Sequence, residues 1–251
     1  MNEAESASGL VFALDVADLG AAREAVARVG DAVDMLKVGL ELFVAAGPSA
    51  VRLGDTVRRP IFLDLKLHDI PETVDRAVAR ACALGARFLT VHGGGGGAML
   101  ERAAKRAAKE NTGLVIVAIT VLTSFDDSDL GITGVSGGVE TQVLRLARLA
   151  WTAGVRAFVS SPHEIGRMRR ELGPTATLIT PGIRPSSTGT SGPGRDDQKR
   201  VATARQAVLD GADWLVVGRP IRDADDPRAA AFALRAEIAG ARANGTVETS
   251  A

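Results

Sequence analysis

Several residue types are scarce or missing here, and each absence narrows the function. There is one cysteine, Cys82, in 251 residues. An internal disulfide is therefore excluded, and a reducing compartment fits. The three histidines, His68, His92 and His163, are scattered, and together with Cys82 they give no metal-ligand spacing. Charge of either sign is not in excess: 30 basic residues face 30 acidic ones. A nucleic-acid footprint is not indicated. No apolar run approaches the roughly 20 residues of a membrane-spanning helix. The first residues, MNEAESASGL, are polar and acidic, unlike a secretory signal. A cytoplasmic, soluble protein without nucleic-acid or membrane partners is expected. Lysine is the most informative scarcity. Only Lys37, Lys66, Lys105, Lys109 and Lys199 occur, and arginine supplies the other cations. Lys105 and Lys109 lie four apart on a helical stretch and read as surface residues. Lys37 and Lys66 lie within or at the end of apolar runs. A compact ammonium with a tunable pKa is a chemical choice there, one that arginine does not replace.

What is present is an alternation. Short β-branched runs at 10–15, 35–39, 61–66, 88–92, 114–122, 155–160, 177–182 and 214–218 are separated by Ala-, Arg- and Leu-rich helical stretches. Helices are expected at 21–29, 40–52, 72–84, 98–109, 139–153, 162–172, 203–209 and 227–239, with Gly240 as a C-terminal cap and a polar tail from 241. Nearly continuous apolar strands imply a parallel sheet buried on both faces. Eight such units in this length suit a (β/α)8 TIM barrel of a single domain spanning 1–251. A doubly wound open sheet is the rival. No GxGxxG follows the first strand, and the even count favours the barrel.

Barrel active sites are built on the carboxyl ends of the strands. Those ends carry Asp15, Lys37, Asp64 with Lys66, His92, Thr123 with Ser124, Ser160 with Ser161, Gly182 with Arg184, and Gly218 with Arg219. The segment FLDLKLHDIPETV (62–74) concentrates the charge. Asp64 and Lys66, two apart on a strand, share one face. With Lys37 and Asp69 they are expected to form an ion network that keeps its members charged despite burial. Flanking carboxylates hold an amine protonated and so disfavour a Schiff base. The stretch 181–203, rich in Gly, Ser, Thr and Pro, reads as a long loop and a lid. Arg184, Gln198, Gly218 and Arg219 lie where barrels bind phosphate. The run VHGGGGG (91–97) lacks the lysine and spacing of a P-loop and reads as a tight turn. His92 is expected to be a hydrogen-bonded wall residue.

On the motifs ALD (13–15), KVG (37–39), DLKLHDIPET (64–73), VHGGGG (91–96), VLTS (121–124), PGIRP (181–185), DDQKR (196–200) and VGRP (217–220), the chain resembles the orotidine 5′-phosphate decarboxylase family over nearly its whole length. The resemblance implies conversion of orotidine 5′-monophosphate (OMP) to UMP and CO₂ in pyrimidine synthesis, with no cofactor and no metal. It implies Lys66 as proton donor, Asp64 beside the substrate carboxylate, Lys37 bridging that aspartate and the ribose, and Asp15 on a ribose hydroxyl. It further implies Thr123 on the base, and Arg184, Gln198, Gly218 and Arg219 at the phosphate and the lid. Asp69, Ile70 and Thr73 are similar to residues that this family supplies from a partner subunit, which implies a homodimer with sites at its interface. The alternative is a metal-dependent sugar-phosphate decarboxylase or aldolase on the same barrel. A third reading, a barrel that only binds, leaves costly buried charges with nothing to offset them.

Overall fold

The computed structural model describes residues 9–184 and 201–248. Eight parallel strands close into a barrel: β1 (Gly9–Ala13), β2 (Met35–Val38), β3 (Ile61–Leu67), β4 (Phe88–His92), β5 (Val115–Ile119), β6 (Ala157–Val159), β7 (Thr177–Thr180) and β8 (Trp214–Val217). Each pairs with the next, and β8 closes on β1 in a register running from Gly9–Trp214 to Phe12–Val217. Helices separate the strands, so the architecture is a (β/α)8 barrel. Among the described residues no helix is long and apolar enough to cross a membrane.

The two-residue period of a strand divides the core in two. Leu10, Phe12, Leu36, Leu63, Leu89, Phe158 and Leu215 point outward into the layer under the helices. Val11, Ala13, Met35, Phe62, Phe88, Val117, Ile179, Trp214 and Val216 fill the barrel interior. Phe62, Phe88 and Trp214 meet edge to face there, with centroids 5.6 and 5.8 Å apart. The same parity, carried two residues further along, brings Asp15, Lys37, Asp64 and Thr90 to the carboxyl rim.

Two helical expectations need correction. The stretch 40–52 is not one helix; it breaks into Leu40–Ala46, Pro48–Val51 and Leu53–Val57. Gly47 takes a φ of +55° before Pro48, which lacks an N–H and disfavours a helical predecessor. The last helix does not stop at Gly240 but runs from Pro227 to Glu248, so the polar tail expected from 241 is helical that far. One glycine costs a helix only about 1 kcal/mol, and the buried Ala241 beyond it, with Arg242 donating to the Asp213 carbonyl (3.2 Å), holds the next turn. Two short helices also went unforeseen, Asp127–Ile132 and Arg219–Arg222. Asp126 starts the first through a reciprocal capping box with Asp129.

The glycine run after β4 is a close-packed turn. A Cβ on Gly93 would lie 2.8 Å from the Ile119 carbonyl oxygen, and Gly96 has a φ of +84°.

Candidate active site

An ion chain crosses three neighbouring strands at the rim. Asp15, just beyond β1, accepts from the Lys37 ammonium at 3.1 Å. Lys37 lies 3.5 Å from Asp64 Oδ2, and Lys66 Nζ donates to that same oxygen at 2.9 Å. The other oxygen, Oδ1, accepts from the Thr90 hydroxyl on β4 at 3.0 Å. The middle of the chain is buried and both ends are open: the Lys37 and Asp64 side chains are each 12% exposed, Lys66 is 32% exposed and Asp15 is 54% exposed. Lys66 is thus the more open of the two ammonium groups.

Burial and charge oppose each other here. Burial by itself would lower the pKa of Lys37, but the charges of Asp64 and Asp15, with their hydrogen bonds, outweigh it and raise the value above the ordinary lysine range. Burial would likewise raise the pKa of Asp64. The charges of Lys37 and Lys66 and the hydrogen bonds from Lys66 and Thr90 instead hold it below the ordinary aspartate range. Both groups are ionised at neutral pH.

The backbone of Lys66 is strained. Its φ is +49°, in the left-handed region, which costs a non-glycine residue roughly 1–2 kcal/mol. The register of β3 against β4 shifts there: Leu63 pairs with Leu89, yet Leu67 pairs with Val91. Asp64 and Lys66 pair at 2.9 Å across this irregular step. Strain of this kind gathers at functional sites.

The chain of ions forms one wall of a cleft of about 540 Å³. Its floor is apolar, from Ala13, Phe62, Ile119, Val159 and Val216. Thr123 lines the side that follows β5, whereas Ser124 is exposed. Arg184, Gly218, Arg219 and Arg222 also line the cleft, on the side that follows β7 and β8 next to Asp15. Space beside the ion pair is tight: a Cβ on Gly39 would lie 3.3 Å from both Asp15 Oδ1 and Lys37 Nζ. Among the described residues, no three His, Cys, Asp or Glu side chains gather to hold a metal ion.

The structure does not bring every expected residue together. Asp69 is exposed, and its carboxylate accepts from the backbone N–H of Ile70 at 2.6 Å, so within one chain it is not part of the ion network. Asp15 holds that fourth place instead. Ile70 is 67% exposed, Thr73 is exposed, and neither lines the cleft of its own chain. Gln198, and the 184–198 loop beyond Arg184, lie outside the described residues.

Two residues that the sequence reading passed over stand at the site. Arg222 lines the cleft, donates to the Asp15 carbonyl at 2.7 Å and forks onto Asp223 at 2.6 and 3.0 Å. Thr90 is fully buried. A polar residue at an inward position of the apolar FLTVH was the legible signal. His92, on the same strand, stacks on His68 at 5.0 Å and accepts from the Gly94 N–H through Nδ1. Burial, then the charges of His68 and Lys66, push its pKa below the ordinary histidine range, so it is neutral and able to accept. It does not line the cleft.

Comparison with known proteins agrees with this geometry. The family model described as "Orotidine 5′-phosphate decarboxylase / HUMPS family" matches residues 8–234. The chain belongs to this family. It is 49% identical over 226 residues to an orotidine 5′-phosphate decarboxylase of Anaeromyxobacter sp. (strain K), covering 90% of this chain and 96% of that one. A protein of the same name from Thermobifida fusca is 48% identical over 233 residues, covering 92% and 96%. Among solved structures, the orotidine 5′-phosphate decarboxylase of Lactobacillus acidophilus superposes with a TM-score of 0.80 at 32% identity, covering 92% of this chain and 99% of that one.

Proposed function

We propose that this chain removes CO₂ from OMP to give UMP in pyrimidine biosynthesis, in the cytoplasm and without a cofactor. One observation carries the reading: a fixed, charged ion chain that ends at the partly open Lys66 and shares a cleft with an arginine-lined side. The substrate has the matching polarity, with a carboxylate on a pyrimidine ring at one end and a phosphate at the other.

The chemistry follows from where charge develops. The bond between C6 and the carboxyl carbon breaks, CO₂ leaves, and the electron pair stays on C6. That pair lies in the ring plane, where no adjacent carbonyl can delocalise it. An ammonium already oriented beside C6 stabilises it and then transfers a proton to it. The neutral Lys66 amine regains its proton from solvent. Asp64 holds Lys66 in place, while Lys37 and Asp15 serve the ribose. Thr123 faces the base. The Gly218 backbone, Arg184 and Arg219 hold the phosphate, joined by Gln198. Binding energy from the phosphate end helps to assemble the reacting end.

The metal-dependent alternative is not favoured by the donor set. Both oxygens of Asp64 are taken, one by Thr90 and the other by Lys66 and Lys37. Loss of orotate-ring ultraviolet absorbance from OMP, followed with and without EDTA, tests the reading. Turnover that survives chelation is expected; no turnover, or turnover lost on chelation, overturns it.

Arg219→Ala is expected to weaken UMP binding by about 10–100-fold, the worth of a charge-assisted bond of roughly 1.5–3 kcal/mol, and to leave uridine binding nearly unchanged. Titration calorimetry with both ligands measures this. Equal loss for the two would argue against a phosphate grip.

The reading includes a homodimer in which Asp69, Ile70 and Thr73 complete the partner's site. Supporting it, all three are exposed and outside their own cleft. Leu40 and Val44, on the segment after β2, are also exposed apolar side chains. Mixing inactive Lys66→Ala with inactive Asp69→Ala chains is then expected to restore about one quarter of wild-type activity, because one site of each mixed dimer is intact. If Asp69 acts within its own chain, every mixed site carries a defect and nothing is restored.

A further inference from the structure

We propose that Thr90 is a positioning residue for this reaction: its hydroxyl fixes both the Asp64 carboxylate and the left-handed backbone that aims Lys66 into the cleft. The proposal rests on the decarboxylase reading above. Thr90 is an inward position of β4 with no exposed surface. A hydroxyl has one proton to give and lone pairs to receive. Here the proton goes to Asp64 Oδ1 at 3.0 Å, and the oxygen receives the Lys66 backbone N–H at 2.7 Å. One small group therefore ties the side chain of one site residue to the main chain of the other.

The second bond lies where β3 leaves its register, between the Leu63–Leu89 and Leu67–Val91 pairs. The Thr90 side chain acts as an acceptor for a β3 N–H at the irregular step. Lys66 holds a φ of +49° at that step, a conformation that persists only when the surroundings over-determine it. Without the hydroxyl, the Lys66 N–H and Asp64 Oδ1 each lose a partner, and the backbone is freed to relax toward the extended region. The ammonium would then be displaced from its line to the substrate. A misplacement of about 1 Å costs about 100-fold in rate.

Thr90→Val keeps the shape and removes the hydroxyl. Thr90→Ser keeps the hydroxyl, and Thr90→Ala removes it along with the methyl. The measurements are kcat and KM for OMP, the Kd for UMP and the thermal midpoint of each protein. Val and Ala are expected to lower kcat about 100-fold, with the Kd for UMP within about threefold of wild type. Ser is expected to keep kcat within about threefold. An active wild type beside an unchanged Val variant overturns the positioning role. So does an equal fall for Ser and Ala, which would place the effect in the methyl. If Val and Ala both fail to fold, Thr90 is a structural residue and the proposal falls. An inactive wild type overturns the decarboxylase reading itself.

Discussion

Lys66→Ala is expected to give a folded protein that binds UMP yet turns OMP over at least about 10⁴-fold more slowly. Positioned proton transfer contributes roughly 10²–10⁴-fold, and one preorganised charge aimed at a developing anion contributes roughly 10²–10³-fold. The proposed mechanism gives Lys66 both roles, so the two losses compound. The fold should survive for local reasons. The side chain is partly open to solvent, Asp64 keeps Lys37 as its counter-charge, and the bond from Thr90 is to the Lys66 main chain. Initial rates from ultraviolet absorbance, with calorimetric binding of UMP, give both halves of the result. A variant that retains a few per cent of turnover would assign the proton to another group.

Asp64→Asn is expected to damage stability as well as rate. The amide can still accept from Thr90, but its other side faces two ammonium groups with only Asp15 left to balance them. Removing one partner of a buried charge pair costs about 3–5 kcal/mol, which denaturant unfolding at neutral pH would read directly. Turnover should fall by about 10³-fold, because Lys66 loses the anion that orients it. The pH dependence has a definite sign. The folded pKa of Asp64 is depressed, so its contribution is present above the ordinary aspartate range and is lost as pH falls through the folded value. The folded pKa of Lys37 is raised, so its contribution is present below the ordinary lysine value of 10.5 and is lost as pH rises through the higher folded one. Wild type should therefore lose stability at both extremes. The Asn variant should show a flatter acid side, and an unchanged acid profile would contradict the ionised state of Asp64.

Much of the barrel and half of its rim were legible in the sequence because both rest on a period of two. Apolar runs that alternate in and out put Asp15, Lys37, Asp64 and Lys66 at inward, rim-proximal positions, and scarcity of lysine marked two of them. The same period held for Thr90, but a threonine inside a strand reads equally well as a β-former. The β3 irregularity was not legible, since nothing in DLKL announces a left-handed residue without glycine. Arg222 went unnoticed because its meaning depends on a short helix after β8 that turns it back toward Asp15. Asp69 reads as one of the buried ions because it follows Lys66 by three residues, yet the turn before Pro71 carries it to the surface, where it accepts from the Ile70 N–H. The broken helix after β2 was marked by Gly47–Pro48, a punctuation outweighed by the apolar pattern around it. The helix past Gly240 shows the reverse, a weak breaker overridden by tertiary contact at Ala241.

On the proposed mechanism the reaction needs an ammonium at residue 66, held by Asp64. Lys66→Cys removes it, and 2-bromoethylamine then rebuilds an amine of nearly lysine length on the new thiol. The native Cys82 is buried, so it should be spared, and mass spectrometry can verify a single addition. Decarboxylation of OMP by the aminoethylated variant should rise at least about 100-fold over the unmodified one, while capping the thiol with a neutral methylthio group should restore nothing. No gain on aminoethylation, or an equal gain from the neutral cap, would contradict the role given to this charge.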